Sequence, residues 1–459
     1  MSAPAGTERF PVDTLRTRLS GRVLIPGDPE YDDARLIALG GLDPSPAAIA
    51  RPVHDDDVAA VVSFAREHGV PLAVRGGGHS GAAHGTVNDG LVLDLRDMTA
   101  LDVDADARTV WADAGLTAGD VTKALSPYGL AVGFGDTATV GIGGITLGGG
   151  VGFLSRRYGL TIDNLLAADV VTADGQVRRV SADHEPELFW GIRGGGGNFG
   201  VVTRFQLRLE AISQVVGGML LLRATSEALA AVMVAAQNSP EELSPIVNVM
   251  PCPPIPGVPA EHHGTLVIMC ELCAVGSTAD GEAAVAPFRA AGEVLLDGVA
   301  PRPYAELFAE EGPAFRPVVR GTSLFLDAVD ADLAVAIMER LEAADGMRVV
   351  QLRPLGGAIA RVPADATAYA HRDRRLMGYV AAILGPGEDA QGPSDWVAGT
   401  ADLLRQGDDG VYVNFLFDEG HERVRAAYPG ATWDRLTALK ARVDPTNLFR
   451  RNQNIPPAR

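Results

Sequence analysis

The chain has 459 residues, of which 47% are hydrophobic and 21% charged, and its formal net charge is −19. This length predicts a large buried core and two or three structural units. The negative charge argues against nucleic acid and anionic membrane surfaces as partners, because both would repel the protein.

The first residues lack the apolar stretch of a secretory signal, and no apolar run reaches the roughly 18 residues of a membrane span. We therefore expect a cytoplasmic protein without membrane contacts, either a monomer or a homodimer.

The first half of the chain alternates between strand and helix patterns. Three acids at 55–57 favour a helix N-terminus, and Asp174-Gly175 favours the turn of a hairpin at 168–177. Strand patterns lie at 48–52, 71–74, 91–95 and 109–112, and a second helix is predicted at about 117–127.

From about residue 209 the pattern changes and predicts a second domain, in which helices cover one side of a mixed sheet. Strand-like runs lie at 216–223, 246–250, 265–273, 348–353, 376–384 and 411–417. Helix-like runs lie at 226–237, 279–291, 331–344 and 394–405, and a last helix ends before Asp444.

The three cysteines, Cys252, Cys270 and Cys273, are too few for a disulfide scaffold. Cys270 and Cys273 have C-x-x-C spacing, but they lie in an apolar run that predicts a strand. Their sulfurs would then point to opposite faces. A structural role is therefore favoured over a redox pair or a metal site.

The most informative motif is RGGGHS at 75–80, directly after the apolar run 71–74. Three glycines leave backbone amides bare, which suits a diphosphate. Arg75 and Ser80 add hydrogen-bond donors. His79 could bind a metal, act as a base or be attacked by a bound cofactor.

Two further glycine clusters follow, at 141–152 and 194–200. Three such loops predict one long ligand that lies against the backbone at several places. The second cluster lacks the sixth-position glycine of a dinucleotide-binding G-x-G-x-x-G motif, and the chain has no G-x-x-x-x-G-K-[ST] motif. No second set of metal ligands accompanies His79, so we expect no metal.

These motifs resemble those of the berberine-bridge-enzyme-like flavoproteins, bacterial actinomycete-type members in particular, within the vanillyl-alcohol oxidase and p-cresol methylhydroxylase superfamily. They occur in family order: VRGGGHS at 74–80, DGLVLDL at 89–95, the cluster at 139–152, YGLTIDN at 158–164, 188–205, YVNF at 412–415, DPTNLF at 444–449 and NQNIP at 452–456.

The resemblance implies an α+β fold with a PCMH-type FAD-binding domain made of two α+β subdomains. It implies a substrate domain whose large, mainly antiparallel sheet is covered by helices. We expect the FAD-binding domain at 1–208, the substrate domain at 209–417, and a C-terminal segment at 418–459 that returns to the first domain.

The resemblance also implies FAD, joined covalently to His79. Family members often add a second bond from a cysteine, and here that position is Thr137, so a single attachment is expected. The implied cofactor-binding residues are Arg75, Gly76, Gly77, Gly78, His79, Ser80, Thr139, Val140, Gly141, Gly143, Gly144, Gly149, Gly150, Gly152, Asn198, Gly200, Val201, Val202, Tyr412 and Asn414.

The catalytic residues follow from the same resemblance. Val140 occupies the position that the family relates to oxygen access. Gln351 occupies the usual position of a glutamate base, and an amide cannot take a proton. Tyr412 is the preferred replacement, with its pKa lowered by Arg372 or Arg353. Tyr369, His371 and Asp418 are the alternatives.

The function implied is an FAD-dependent oxidase of secondary metabolism. Hydride would pass from an alcohol, phenol, sugar or other small-molecule C–H to flavin N5, and O₂ would reoxidise the flavin to give H₂O₂. The alternatives are a dehydrogenase with another acceptor and a flavin-bearing protein without turnover.

Overall fold

The computed structural model of the protein describes residues 11–308, 316–385 and 387–458. Within these residues the chain forms a four-stranded, a five-stranded and an eight-stranded sheet, with a short two-stranded pair. Among the described helices, none is long and apolar enough to cross a membrane.

The four-stranded sheet carries the first glycine loop. Its elements are α1 (Val12–Arg18), β1 (Arg22–Leu24), α2 (Tyr31–Ala34), β2 (Ala48–Arg51), α3 (Asp55–His68), β3 (Leu72–Arg75) and β4 (Leu91–Asp94). The strand order is β1-β2-β4-β3, with β2, β4 and β3 parallel and β1 antiparallel to β2. As predicted, α3 begins at the three acids, and it ends at Gly69, which adopts a φ of +62°.

The five-stranded sheet carries the other two glycine loops. Its unit contains β5 (Leu101–Asp104), β6 (Thr109–Asp113), α4 (Ala118–Leu125), β7 (Leu130–Ala131), α5 (Ile142–Gly148), α6 (Ser155–Tyr158), β8 (Leu165–Val171), β9 (Val177–Ser181), α7 (Pro186–Ile192), β10 (Val201–Arg208) and β11 (Glu210–Ala211). The order β5-β6-β10-β8-β9 is antiparallel throughout, and β7 pairs with β11. The β8–β9 pairing confirms the predicted hairpin.

The eight-stranded sheet forms the second half of the protein. Its elements are β12 (Gln214–Arg223), α8 (Ser226–Gln237), β13 (Leu243–Pro251), β14 (Leu266–Val275), α9 (Thr278–Arg289), β15 (Val294–Asp297), β16 (Ala300–Pro303), β17 (Val318–Leu326), α10 (Ala331–Glu342), β18 (Met347–Pro354), α11 (Ala358–Arg361), β19 (Leu376–Leu384) and α12 (Gln391–Leu404). The order is β15-β12-β14-β13-β18-β19-β17, and β16 also pairs with β12.

All pairs in this sheet are antiparallel, so the mixed sheet predicted from periodicity alone is wrong, whereas the antiparallel sheet implied by the resemblance is confirmed. One face packs on α8, α9, α10 and α12. On β14, Ile268, Cys270 and Leu272 belong to this helix-covered core. The alternate residues Met269 and Glu271 face the other way and line a cavity.

The predicted strand at 411–417 is wrong. Val413–Phe415 forms a 3-10 turn instead. The backbone amide of Tyr412 donates to Ser323 Oγ at 3.1 Å, and that hydroxyl donates to the Tyr412 carbonyl at 3.2 Å. A side chain of β17 thus satisfies the backbone groups that a neighbouring strand would otherwise bind.

The chain ends in α13 (His421–Ala426) and α14 (Ala431–Val443). Leu436 and Leu439 of α14 pack where a Cβ on Gly195 or Gly191 would lie, 3.0 Å and 2.3 Å from the leucine methyls. The C-terminal helix therefore lies directly against the third glycine loop.

Candidate active site

A cavity of about 600 Å³ lies between the glycine loops and the open face of the large sheet. This volume is typical of a small-molecule or cofactor site. Its wall is formed by residues 76–81, 140–141, 143–145, 196–198 and 200–202 of the loops, 412–417 and 451–453 of the C-terminal part, and side chains of β13, β14, β18 and β19.

The first and second glycine loops touch through bare backbone. A Cβ on Gly77 would lie 2.3 Å from the backbone nitrogen of Gly141, and a Cβ on Gly141 would lie 2.2 Å from that of Gly77. No side chain fits at either position. The contact brings His79 and Val140 to one cavity wall, on loops that are about 60 residues apart in sequence.

Two other glycines line the cavity without any such packing need. A Cβ on Gly144 or Gly197 would meet no atom within 4 Å, so both positions face open space. A ligand can therefore approach the backbone closely at the second and third loops. These residues fit the long, flat cofactor expected from the sequence, FAD.

Arg75 is placed differently from the predicted diphosphate donor. Its buried guanidinium donates to Asp94 at 2.8 Å and to the carbonyl oxygen of Leu36 at 3.3 Å. Burial lowers the pKa of Arg75, and the Asp94 carboxylate opposes this effect. The guanidinium is therefore engaged by protein partners that fix the loop, although Arg75 borders the cavity together with His79 and Ser80.

Gly149, Gly150 and Gly152, which were predicted to bind the cofactor, lie outside the cavity wall, as does Thr139. A Cβ on Gly150 would lie 1.9 Å from Thr161 Oγ1, and one on Gly152 would lie 2.2 Å from the Cα of Gly135. These glycines permit the chain to pack on itself. The cavity-lining part of the cluster is Gly141, Gly143 and Gly144.

The third loop is held by a buried lysine that the sequence analysis missed. Lys440 Nζ donates to the carbonyl oxygen of Asn198 at 2.7 Å, to that of Phe449 at 2.9 Å and to Asp444 at 2.7 Å. The Asn198 side chain in turn bonds Gly195 and Ile455 at 2.9 Å each. A lysine four residues before the aspartate of DPTNLF on a helix is the signal that could have indicated this pair.

Tyr412 lies in the cavity wall and is 2% exposed. Its hydroxyl oxygen accepts hydrogen bonds from the amides of Gly150 at 2.9 Å and Val151 at 3.3 Å, and from Asn414 Nδ2 at 2.9 Å. Burial raises the pKa of Tyr412, and these donors only partly oppose it. Arg353 also acts to lower this pKa, as expected of a cation, but it does not outweigh burial, so the expected net lowering is wrong.

The predicted cation Arg372 is not available to Tyr412, because it forms a buried pair with Asp163 at 2.7 Å. Tyr369 and His371 are not among the residues that line the cavity. Burial raises the pKa of Tyr369 and lowers that of His371. The Tyr369 ring packs against Tyr412, with centroids 6.0 Å apart, and the His371 ring packs against Tyr369, with centroids 6.2 Å apart.

Gln351 lies in the cavity wall on β18, and its amide is fully oriented. Its Nε2 donates to Asn248 Oδ1 on β13 at 2.7 Å, and its Oε1 accepts from Arg353 Nε at 2.7 Å. Arg353 also forms an ion pair with Asp136, the residue before Thr137. The sheet face therefore presents a connected polar row to the cavity.

Glu271 of β14 belongs to the same wall, and sequence analysis missed it. Burial raises the pKa of Glu271 to about 7; the charge of Asp136 acts in the same direction, and that of Arg353 opposes both. The signal was a charged residue in an otherwise apolar strand pattern, which has to face a cavity or a partner.

The cysteines do not contribute to the site. Cys270 packs in the helix-covered core of the large sheet, whereas Cys273 packs in the core that also contains residues of the four-stranded and five-stranded sheets. The prediction that their sulfurs point to opposite faces is confirmed. Burial raises the pKa of Cys270 to about 12 and that of Cys273 further.

Comparisons with known proteins agree with this site. The FAD binding domain model matches residues 46–181, and the berberine and berberine-like model matches residues 411–456. The FAD-linked oxidoreductase YgaK of Bacillus subtilis (strain 168) is 31% identical and aligns over 97% of this chain and 98% of its own length.

(R)-6-hydroxynicotine oxidase of Paenarthrobacter nicotinovorans is 31% identical over 96% of this chain and 98% of its own. The crystal structure of 6-hydroxy-D-nicotine oxidase from Arthrobacter nicotinovorans superposes with a TM-score of 0.85 at 28% identity, covering 96% of this chain and 98% of that one.

The fold and the glycine-lined cavity are those of an FAD-dependent oxidoreductase. The chain belongs to the berberine-bridge-enzyme-like family of FAD-linked oxidases, which confirms the resemblance seen in the sequence. FAD, when bound, accepts hydride from a substrate C–H. The alternative of a flavin-bearing protein without redox turnover is not favoured.

Proposed function

We propose that the protein is an oxidase that carries FAD on a single covalent bond to His79 and transfers electrons from a small organic substrate to O₂. The substrate carries a hydroxyl or amino group at the carbon that is oxidised. The observation that carries this proposal is the cavity wall itself. It combines an imidazole on the first glycine loop with a polar row on the facing sheet.

The attachment would be single because no thiol is available beside the cavity. Thr137 stands in the wall at the position of the second link, and its hydroxyl donates to Asp136 at 2.9 Å. A threonine hydroxyl is a weak nucleophile at neutral pH. Cys252, Cys270 and Cys273 are buried and lie outside the cavity wall.

The sheet face favours a hydrogen-bond-donating substrate over an anionic one. Asp136 neutralises Arg353, and the pKa of Glu271 is raised more by Asp136 than it is lowered by Arg353. Because Asp136 pairs with Arg353, the charge left at this wall when Glu271 is ionised is negative. A hydroxyl or ammonium group would be stabilised there, whereas a substrate carboxylate would be repelled.

Acceptance of electrons by O₂ is supported by the position of Val140. It lines the cavity beside Gly141, and its side chain is small and partly exposed. O₂ would have access to the bound flavin past this side chain. A dehydrogenase that uses another acceptor is the second candidate.

The attachment is tested on the purified protein by acid denaturation. The wild-type pellet should stay yellow, and flavopeptide mapping should place the flavin on His79. The His79→Ala variant should lose the colour on denaturation, whereas His184→Ala, on an exposed turn, should keep it. A flavin on any cysteine would contradict the assignment.

The electron acceptor is tested by photoreducing the flavin without oxygen and then admitting air. An oxidase reoxidises rapidly and releases H₂O₂ in proportion. Slow reoxidation with rapid electron transfer to an artificial dye would favour the dehydrogenase.

A further inference from the structure

The large sheet places one carboxyl group on its open face at the cavity. On β14, Glu271 lies two residues from Met269, which also lines the cavity. Met269 pairs with Asn248 on β13, and Asn248 pairs with Gln351 on β18. Because side chains alternate along a strand, these residues share one face of the sheet.

The neighbours of Glu271 are held in place by one another. Gln351 is fixed between Asn248 and Arg353, and Arg353 is paired with Asp136. By contrast, no side chain among the described residues donates a hydrogen bond to the Glu271 carboxyl. A half-buried carboxyl that borders a cavity and has no protein donor is poised for a ligand's donor group.

The other candidates for taking a proton are less suitable. Gln351 is an amide. The phenol oxygen of Tyr412 already accepts three hydrogen bonds, and its pKa is raised above its ordinary value. Burial also raises the pKa of Tyr379, the remaining phenol in the sheet wall.

We propose that Glu271 is the proton acceptor of the reaction, and that it takes the proton from the hydroxyl or amino group on the carbon that is oxidised. This proposal rests on the proposed function. The substrate R₂CH–XH, where X is oxygen or nitrogen, becomes R₂C=X. Bound FAD would supply the acceptor for the C–H electron pair, which leaves as hydride, and the X–H proton would go to the Glu271 carboxylate.

A group with a pKa near neutrality suits this role. It is ionised in a useful fraction at pH 7, and it still has a high proton affinity. The raised pKa of Glu271, about 7, meets this condition. The orienting chain through Gln351, Arg353 and Asp136 would keep the arginine from pairing with Glu271 and quenching its basicity.

The test uses the holoenzyme and its Glu271→Gln variant, with Glu282→Gln as the matched control. Glu282 lies on α9 and pairs with Arg289 at 2.6 Å, away from the cavity. The probes are benzyl alcohol, 4-hydroxybenzyl alcohol and N-methylbenzylamine. The rate of flavin reduction is followed without oxygen across pH 5–9.

For the probe that reduces the wild-type flavin, Glu271→Gln should slow reduction by about 10²–10⁴-fold. It should also remove the rise in rate with pH around 7. Flavin content and photoreduction should be unchanged. Reduction at the wild-type rate, with the pH profile intact, would overturn the proposal.

A second measurement requires no turnover. Infrared difference titration of the holoenzyme should show a carboxyl band that titrates near pH 7 in the wild type and in Glu282→Gln. This band should be absent from Glu271→Gln. A band that remains in Glu271→Gln, or that is absent from the wild type, would refute the assignment. If the wild-type protein did not retain covalent flavin, the proposed function would be refuted. The infrared titration of Glu271 could still be measured in that case.

Discussion

Lys440 and Asn198 are joined by a hydrogen bond of 2.7 Å between a fully buried ammonium and a backbone carbonyl. The bond links α14 to the third glycine loop, 242 residues earlier in the chain. The same ammonium pairs with Asp444, so one side chain connects the C-terminal motif to the cofactor cavity.

Replacing Lys440 with Met should lower the free energy of unfolding by about 3–5 kcal/mol, because the Asp444 carboxylate would remain buried without its cation. FAD loading should fall as well, since Asn198 loses its support. Urea unfolding and the flavin-to-protein absorbance ratio measure the two effects. Lys123→Met, at an exposed site on α4, should change neither. If the two variants had the same free energy of unfolding and the same flavin content, the buried Lys440–Asp444 pair would not stabilise the fold or the third glycine loop.

The sequence predicted the glycine loops well because their signal is local. At Gly77 and Gly141 the backbone contact excludes every side chain, so the glycines had to be present in the sequence. The sheet wall could not be predicted in the same way. Glu271 lies at the cavity because β14 pairs with β13 in one particular register, and that register cannot be read from the sequence.

Two secondary-structure predictions failed for the same reason, which is that contacts distant in sequence determine the structure there. The run at 411–417 has the apolar residues of a strand, but its backbone binds Ser323, a residue about 90 positions earlier. The strand β17 was not predicted because Arg320 and Gly321 interrupt its apolar pattern. Long-range partners decided both elements, and local propensity could not.

Gly144→Ala should reduce flavin incorporation without lowering the stability of the fold. A Cβ at Gly144 meets no protein atom within 4 Å, but it enters the cavity where the cofactor is expected. Gly392→Ala, in open space on α12, is the matched control. The flavin-to-protein ratio and the urea midpoint should separate the two. Normal flavin content in Gly144→Ala would mean that the cofactor does not approach this loop.

Tyr412→Phe distinguishes the two candidate bases. The variant leaves the buried amide of Gly150 without its acceptor, which should cost about 1–3 kcal/mol of stability. If Glu271 takes the proton, the rate of flavin reduction should keep its rise around pH 7. Stopped-flow reduction across pH 5–9 measures this. Loss of the pH dependence in Tyr412→Phe would restore the phenol as the base.

Val140→Leu should slow reoxidation by O₂ more than flavin reduction, because one added methylene narrows the cavity at the second glycine loop. Stopped-flow traces of the two half-reactions give the two rates separately. Val318→Leu, on β17 and outside the cavity wall, is the control. Equal slowing of both half-reactions would show that Val140 shapes substrate binding instead.

The stability of the holoenzyme should depend on pH through Glu271. Its folded-state pKa, about 7, lies above the unfolded value near 4.3. Between these values the unfolded chain releases the proton first, so rising pH destabilises the fold, and the effect is complete above pH 7.

Glu271→Gln removes this penalty. Relative to wild type, the variant should therefore gain up to about 3 kcal/mol between pH 4 and pH 8. Urea unfolding at both pH values, with Glu282→Gln in parallel, measures the gain. A difference between wild type and Glu271→Gln that stays constant with pH would mean that the carboxyl titrates at its ordinary value, and that the cavity does not raise its proton affinity.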